Sequence, residues 1–302
     1  MVPAHEDPAV HALLAGGPAF QVAWLRDRAL PPAVLLPLLN ACAQRCFFCA
    51  GPGTVSVPER EVTSWSTIDA QLRPPPGVSR LLVGGNEPAL HPSFADALQL
   101  SRERGFSHVD LMTNGTTLVT GARAWSRLGL REVVVPLYGT RAAEHDAVAG
   151  LPCFEAVIAG LRAAHAVGIR VWVHTLAMRE TLPRLGELAA FTEAEFGTRL
   201  GLGLLRPKPV FDWSRHAVSL GQLRRALVDL DVDLLAAPLC LAWGQGDDLV
   251  PGPSRPASER SPLATIYFLT QRRCYLPACE GCPSRANCGG VVGAYSGEKT
   301  NG

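Results

Sequence analysis

The stretch Val34-Leu-Leu-Pro-Leu-Leu-Asn-Ala-Cys42-Ala-Gln-Arg-Cys46-Phe-Phe-Cys49-Ala50 decides the fold and points to the chemistry. Its first six residues, Val34–Leu39, are an apolar run of the length of a buried strand. The cysteines follow at once, spaced C-x3-C-x2-C, so three thiols lie within eight residues on a loop leaving that strand. A hydrophobic core needs no such concentration. Three thiolates are three ligands, and an iron–sulfur cube has four irons, which leaves one iron open to a small molecule. The plain alternatives are a zinc loop or three ordinary buried cysteines. A structural zinc wants a fourth close ligand, and neither His nor Cys follows Cys49 within forty residues.

Outward from this loop the chain alternates short apolar runs with helical stretches. Strands are expected at Val34–Leu39, Arg80–Val83, His108–Met112, Glu132–Leu137, Arg170–Thr175 and Arg199–Leu204. Each is largely apolar on both faces, as a parallel strand covered by helices must be. Helices are expected at Ser66–Leu72, Ser93–Arg104, Gly121–Leu128, Phe154–Val167 and Leu182–Phe196, several stopping at a glycine before the next strand. Six β/α units in series predict an α/β fold, a partial (β/α)6 TIM-like barrel, with its chemistry at the carboxyl ends of the strands. Polar and glycine-rich loops fall at that end: Gly84-Gly-Asn-Glu-Pro88 after strand two, Thr113-Asn-Gly115 after strand three, Pro136-Leu-Tyr-Gly139 after strand four and His174-Thr175 in strand five. His145-Asp146 reads as part of a polar loop after strand four that shapes a substrate mouth. Tyr138 and His174 are candidate cofactor contacts, with plain core packing as the alternative.

Arg206-Pro-Lys-Pro209 reads as a domain break. The expected division is an N-terminal extension (1–32), the partial barrel (33–206) and a small cysteine-rich C-terminal module (207–302). In that module a helix is expected at Leu220–Leu230, followed by an apolar run ending at Cys240, with Gly244–Ser261 as a loop. The last cysteines come as Cys274, Cys279, Cys282 and Cys288, the final three spaced C-x2-C-x5-C. Thiolates in so short a loop suit an iron–sulfur cluster or a zinc ion. Cys153 stands apart from both groups and reads as an ordinary buried residue at a helix start.

Composition bounds the rest. The chain has 302 residues, 47% hydrophobic and 18% charged, with a formal net charge of +1, so it is globular and offers no whole-chain case for binding nucleic acid. No targeting segment or bilayer-length apolar run is visible. Nine cysteines without a signal peptide suggest metal binding in a reducing, cytoplasmic setting rather than a disulfide framework.

Together, C-x3-C-x-Phe-C after strand one, Gly-Gly-Asn-Glu-Pro after strand two and Thr-Asn-Gly after strand three resemble the radical S-adenosylmethionine (SAM) superfamily, from about Leu35 to Leu204. The resemblance implies a [4Fe–4S] cluster on Cys42, Cys46 and Cys49 whose fourth iron binds the amino and carboxylate groups of SAM. It places Phe48 near the adenine, Gly84, Gly85, Asn86 and Glu87 near the methionyl ammonium, and Asn114 near the ribose or carboxylate. Asn86 departs from the family pattern, which has glycine there. The C-terminal run resembles the SPASM or twitch extensions of radical SAM peptide-modifying enzymes. It implies one auxiliary [4Fe–4S] cluster on Cys240, Cys279, Cys282 and Cys288, with Cys274 as a spare or a replacement for Cys240. Val292 stands where the full SPASM pattern has a further cysteine. The stretch from Val135 to Gly150 is loosely similar to maturases of His-Xaa-Ser peptide systems.

These likenesses imply an oxidoreductase or maturase fed by a flavodoxin or ferredoxin-type reductant. Its substrate would be a ribosomally made peptide or, alternatively, a small metabolite or nucleoside. A peptide would need a separate leader-peptide-binding protein or another binding mode, because only about thirty residues precede strand one. The competing classes are a non-catalytic iron–sulfur electron carrier and a zinc-stabilised scaffold.

Overall fold

The computed structural model describes residues 12–13, 16–27, 30–39, 41–49, 62–207 and 211–235, and beyond them 261, 263, 266, 273–275, 279–281 and 291–292. Seven strands form one parallel sheet in sequence order. They are β1 (Val34–Leu39), β2 (Arg80–Gly85), β3 (His108–Met112), β4 (Leu130–Pro136), β5 (Arg170–Ala177), β6 (Leu200–Leu204) and β7 (Val232–Leu234). Strands β1 and β7 stand at opposite edges and do not pair, so the sheet is an open, partial barrel. The helices are α1 (Pro18–Arg26), α2 (Trp65–Gln71), α3 (Phe94–Glu103), α4 (Leu118–Arg127), α5 (Ala142–Ala149), α6 (Phe154–Ala166), α7 (Leu185–Phe196), α8 (Trp213–His216) and α9 (Leu220–Ala226).

Alternation along each strand sorts the side chains into two layers. Leu36, Leu81, Leu111, Val133 and Val171 face outward and pack with Leu98, Leu118, Leu161 and Leu188 of the helices. Leu35, Leu82, Val134 and Trp172 face inward, where Leu25 of α1 joins them. Both strand faces are therefore largely apolar, which is why the strands read as mostly apolar runs. The six expected strands agree with the structure to within two residues at each end.

Several elements depart from the expectation, and three bear on the site. Helix α1 forms within the N-terminal extension. Helix α5 occupies the supposed polar loop around His145-Asp146. Four of its eight residues are alanine, which favours helix, and tertiary contact buries its polar-looking His145 completely. Strand β7 lies beyond the break at 206–209 and is too short, at three residues, to show a period. Its Asp233 registers with Gly201 of β6.

The amino end of the barrel is closed by charge. Arg80 donates to Asp110 (2.7 and 3.1 Å) and to Glu132 (2.9 Å). The His108 ring lies 3.0 Å from Asp110 and 3.1 Å from Glu132, and Trp172 Nε1 donates to Glu132 at 2.6 Å. The carboxyl end is left to the loops.

Candidate active site

At that end, the cysteine loop and the β2 loop are laced together. Asn86 N donates to Leu39 O (2.8 Å) and Glu87 N to Ala41 O (3.0 Å). Gly85 makes this approach possible. Its φ is +123°, and a Cβ there would stand 2.4 Å from Leu39 O. At Gly84, by contrast, a Cβ would meet no atom of the described residues within 4 Å.

Cys42, Cys46 and Cys49 are free thiols of intermediate exposure. Burial pushes the Cys42 thiol up, while N–H groups of the Asn114 side chain and the Gln44 backbone pull it back. Burial, followed by the charges of Cys49 and Cys42, pushes Cys46 up to about 12; the Tyr138 hydroxyl opposes this. Three thiolates so close together repel one another, and a bound cation resolves the conflict. The donor set is soft, with polar hydrogens already aimed at sulfur, and it fits an iron–sulfur cluster.

Glu87 is fully buried and holds the β3 loop in place. Its carboxylate accepts from Thr113 Oγ1 (2.8 Å), Asn114 N (2.5 Å) and Ala89 N (3.2 Å). Burial raises its pKa to about 7. Asn114 Oδ1 accepts from Thr116 N (3.0 Å) and Thr116 Oγ1 (2.7 Å), which leaves Nδ2 directed at Cys42 Sγ at 3.5 Å. The described bonds of Glu87 and Asn114 thus run within the loop framework.

Aromatic rings line one side of the cysteine loop. Phe48 meets Tyr138 edge-on at 5.7 Å, and Tyr138 stacks on His145 at 5.4 Å. Phe47 stacks on His216 at 4.1 Å; His216 Nδ1 lies 2.5 Å from Glu180 Oε1. His145 and His174 are both driven down to about 4 by burial and are neutral. His174 sits inside the sheet, where it lines a small cavity with Trp172, Gly201, Asp233 and Ser261.

Sequence reasoning missed Gln44, Glu180 and His216, none of which carries a motif signal. It read Cys153 correctly as a buried residue at a helix start, where it caps α6, but set it apart from the cysteine loop. That cysteine does not stand apart. The corner between α5 and α6 brings it against the cysteine loop, where Gln44 Nε2 donates to its sulfur at 3.3 Å. The pair is 109 residues apart in sequence, so only the fold could join them. Of the C-terminal cysteines, Cys240, Cys282 and Cys288 lie outside the described residues. Cys279 is free and half-buried. Cys274 belongs to the two-residue strand β8 (Arg273–Cys274), antiparallel to β9 (Val291–Val292), and registers with Val291.

The sequence profile of the Radical SAM superfamily matches residues 36–192, just over half of the chain. This chain belongs to that superfamily. The superfamily implies a [4Fe–4S] cluster and SAM, and the donor set described above is suited to hold them.

Among curated relatives, a radical SAM protein of Nitrobacter hamburgensis named GTP 3',8-cyclase is 25% identical over 262 residues, 84% of this chain and 73% of that protein. A protein of the same name from Rhodobacter capsulatus is 29% identical over 144 residues, 46% of this chain but only 42% of its own length. Among solved structures, anSMEcpe with bound AdoMet aligns with a TM-score of 0.55 at 15% identity, covering 68% of this chain and 62% of that chain. Streptococcus suis SuiB bound to precursor peptide SuiA aligns at 0.53 and 14%, covering 72% and 52%. At such identities the structural likenesses establish the fold alone. Among the described residues, no single helix is long and apolar enough to cross a membrane.

Proposed function

We infer that this radical SAM protein is a hydrogen-abstracting enzyme that holds its cluster on Cys42, Cys46 and Cys49 and binds SAM at the carboxyl rim of the sheet. One observation carries the reading. The three thiols sit on the loop leaving β1, where Asn114, Tyr138 and the Gln44 backbone all direct polar hydrogens at sulfur. When bound, cluster and SAM together supply one-electron cleavage of the sulfonium and a carbon radical able to take hydrogen from an unactivated carbon.

The chain's own part is to bind, orient and exclude water. The space that the described residues leave at Gly84 has room for the methionyl group of SAM, and Phe48 offers its ring to the adenine. Phe47, Phe48 and Tyr138, packed with Phe211 and Trp213, form an apolar wall beside the reacting centre.

For the substrate, the motif likeness supports a ribosomal peptide undergoing cross-linking, epimerisation or oxidation. A nucleotide is the second reading, favoured by the GTP 3',8-cyclase relatives, one of which aligns over most of both chains. Residues 211–235 belong with the barrel, since β7 pairs with β6; the chain beyond them would carry one auxiliary cluster on Cys279, Cys282, Cys288 and either Cys240 or Cys274. The β8–β9 pairing supports a compact module, since it sets residue 274 beside residue 291. A flavodoxin or ferredoxin in the cytoplasm would supply electrons.

The test is anaerobic reconstitution followed by SAM and dithionite, with 5'-deoxyadenosine measured. Iron-loaded protein that releases none is an electron carrier instead. Adding GTP to one sample and a synthetic precursor peptide to another separates the substrate readings by which one raises 5'-deoxyadenosine and changes mass.

A further inference from the structure

The cysteine loop rests on a corner of the fold that binding a cluster does not by itself require. Arg45 N donates to Ala149 O at 2.9 Å, at the end of α5. The next residue, Gly150, is left-handed (φ 74°), and a Cβ there would stand 2.5 Å from Arg45 O. Asp146 Oδ1 then accepts from the backbone N–H of Cys153 (2.9 Å) and of Phe154 (2.8 Å), fixing the start of α6. The result is a buried relay of three side chains. Cys46 Sγ donates to Gln44 Oε1 at 3.6 Å, and Gln44 Nε2 donates to Cys153 Sγ at 3.3 Å. Gln44 and Cys153 are each 6% exposed, so water does not replace the contact between them, while Cys46 keeps a half-buried sulfur at the other end.

The polarity of this relay suits a loop whose Cys46 still carries its proton. A sulfur bound to iron has none, and a carbonyl oxygen facing it would be repelled. The two ends of a glutamine amide have nearly the same shape, so a half-turn of the amide exchanges them without moving the backbone. Nε2 then donates to the Cys46 sulfur, and Oε1 turns to Cys153. A thiol suits that place because it accepts a hydrogen bond in the first arrangement and donates one in the second. The Asn114 amide beside Cys42 behaves differently, since two bonds from Thr116 hold its N–H toward sulfur in either state.

We propose that Gln44 is a positioning residue that donates an N–H···S hydrogen bond to Cys46 once the sulfur binds iron, and that Cys153 holds the amide in that orientation. The proposal rests on the cluster site inferred above. A hydrogen bond to a ligating sulfur favours the more negative, reduced cluster and so raises its reduction potential.

The experiment is an EPR-monitored redox titration of the full-length reconstituted protein, following the signal that SAM perturbs, with iron content measured in parallel. Wild type is compared with Gln44→Leu, Cys153→Ala and Cys153→Ser. Gln44→Leu and Cys153→Ala should each disfavour reduction about tenfold, a fall of roughly 59 mV for one electron. Cys153→Ser, which can still donate to Oε1, should stay near wild type, and all four proteins should hold equal iron. Unchanged potentials in the first two variants overturn the proposal, as does a serine variant that falls as far as alanine. Iron loss in both Cys153 variants would make Cys153 a ligand and also overturn it. An iron-free wild type removes the cluster site itself, a failure distinct from these.

Discussion

Single side chains divide here into those that bind and those that hold the binders. Replacing Cys42, Cys46 or Cys49 with alanine removes one of three ligands. Each variant should lose the SAM-site cluster and all 5'-deoxyadenosine formation, read by iron analysis and chromatography. Glu87 is a holder. Glu87→Ala strips the acceptor from the Thr113 hydroxyl and the Asn114 amide, both buried. Stranded donors cost about 1–3 kcal/mol each, so chemical denaturation should show a loss in that range for each. The Gly-Gly-Asn-Glu motif was legible in the sequence, but what Glu87 grips was not, because its partners lie on another strand's loop.

At the scale of elements, the rim depends on how closely β1 and β2 approach. Gly85→Ala puts a Cβ into Leu39 O and strains a positive φ, so the cysteine loop must shift. About 1–3 kcal/mol of stability should go, with weakened iron retention during reconstitution. Six strands could be read in advance because strands buried on both faces leave an unmistakable apolar signature. Helix α5 could not, because its eight residues mix alanine with Glu144, His145 and Asp146, and only packing reveals which face is buried. The same helix, through Asp146, brings Cys153 to the cysteine loop.

For the whole molecule, the amino-end charge network links stability to pH. Hydrogen bonds from the His108 ring to the carboxylates of Asp110 and then Glu132 raise its pKa to about 9, against burial and the Arg80 charge. The charged ring therefore stabilises the fold fully below its unfolded value of about 6.5, and that contribution is lost as pH rises through about 9. The melting temperature should fall across this window, and His108→Gln should flatten that part of the fall; equal slopes in both proteins would show that the ring is not coupled to folding. No sequence signal marks the network, since it exists only when Arg80, His108, Asp110 and Glu132 meet across the registers of β2, β3 and β4.

The amino-acid sequence by itself determined the local matters: an apolar strand leading into three spaced thiols, the glycine and Thr-Asn-Gly loops, and the β/α rhythm. Each of these follows from short-range chemistry, from backbone sterics and from hydrophobic periodicity. Only the tertiary structure decided that Asn114 and Tyr138 direct polar hydrogens at the sulfurs, that Gln44 joins Cys46 to Cys153, and that the barrel's far end is closed by charge. Those facts depend on strand register and on the angle at which helices return. Both are set by packing the whole chain around one core, over separations no local pattern records.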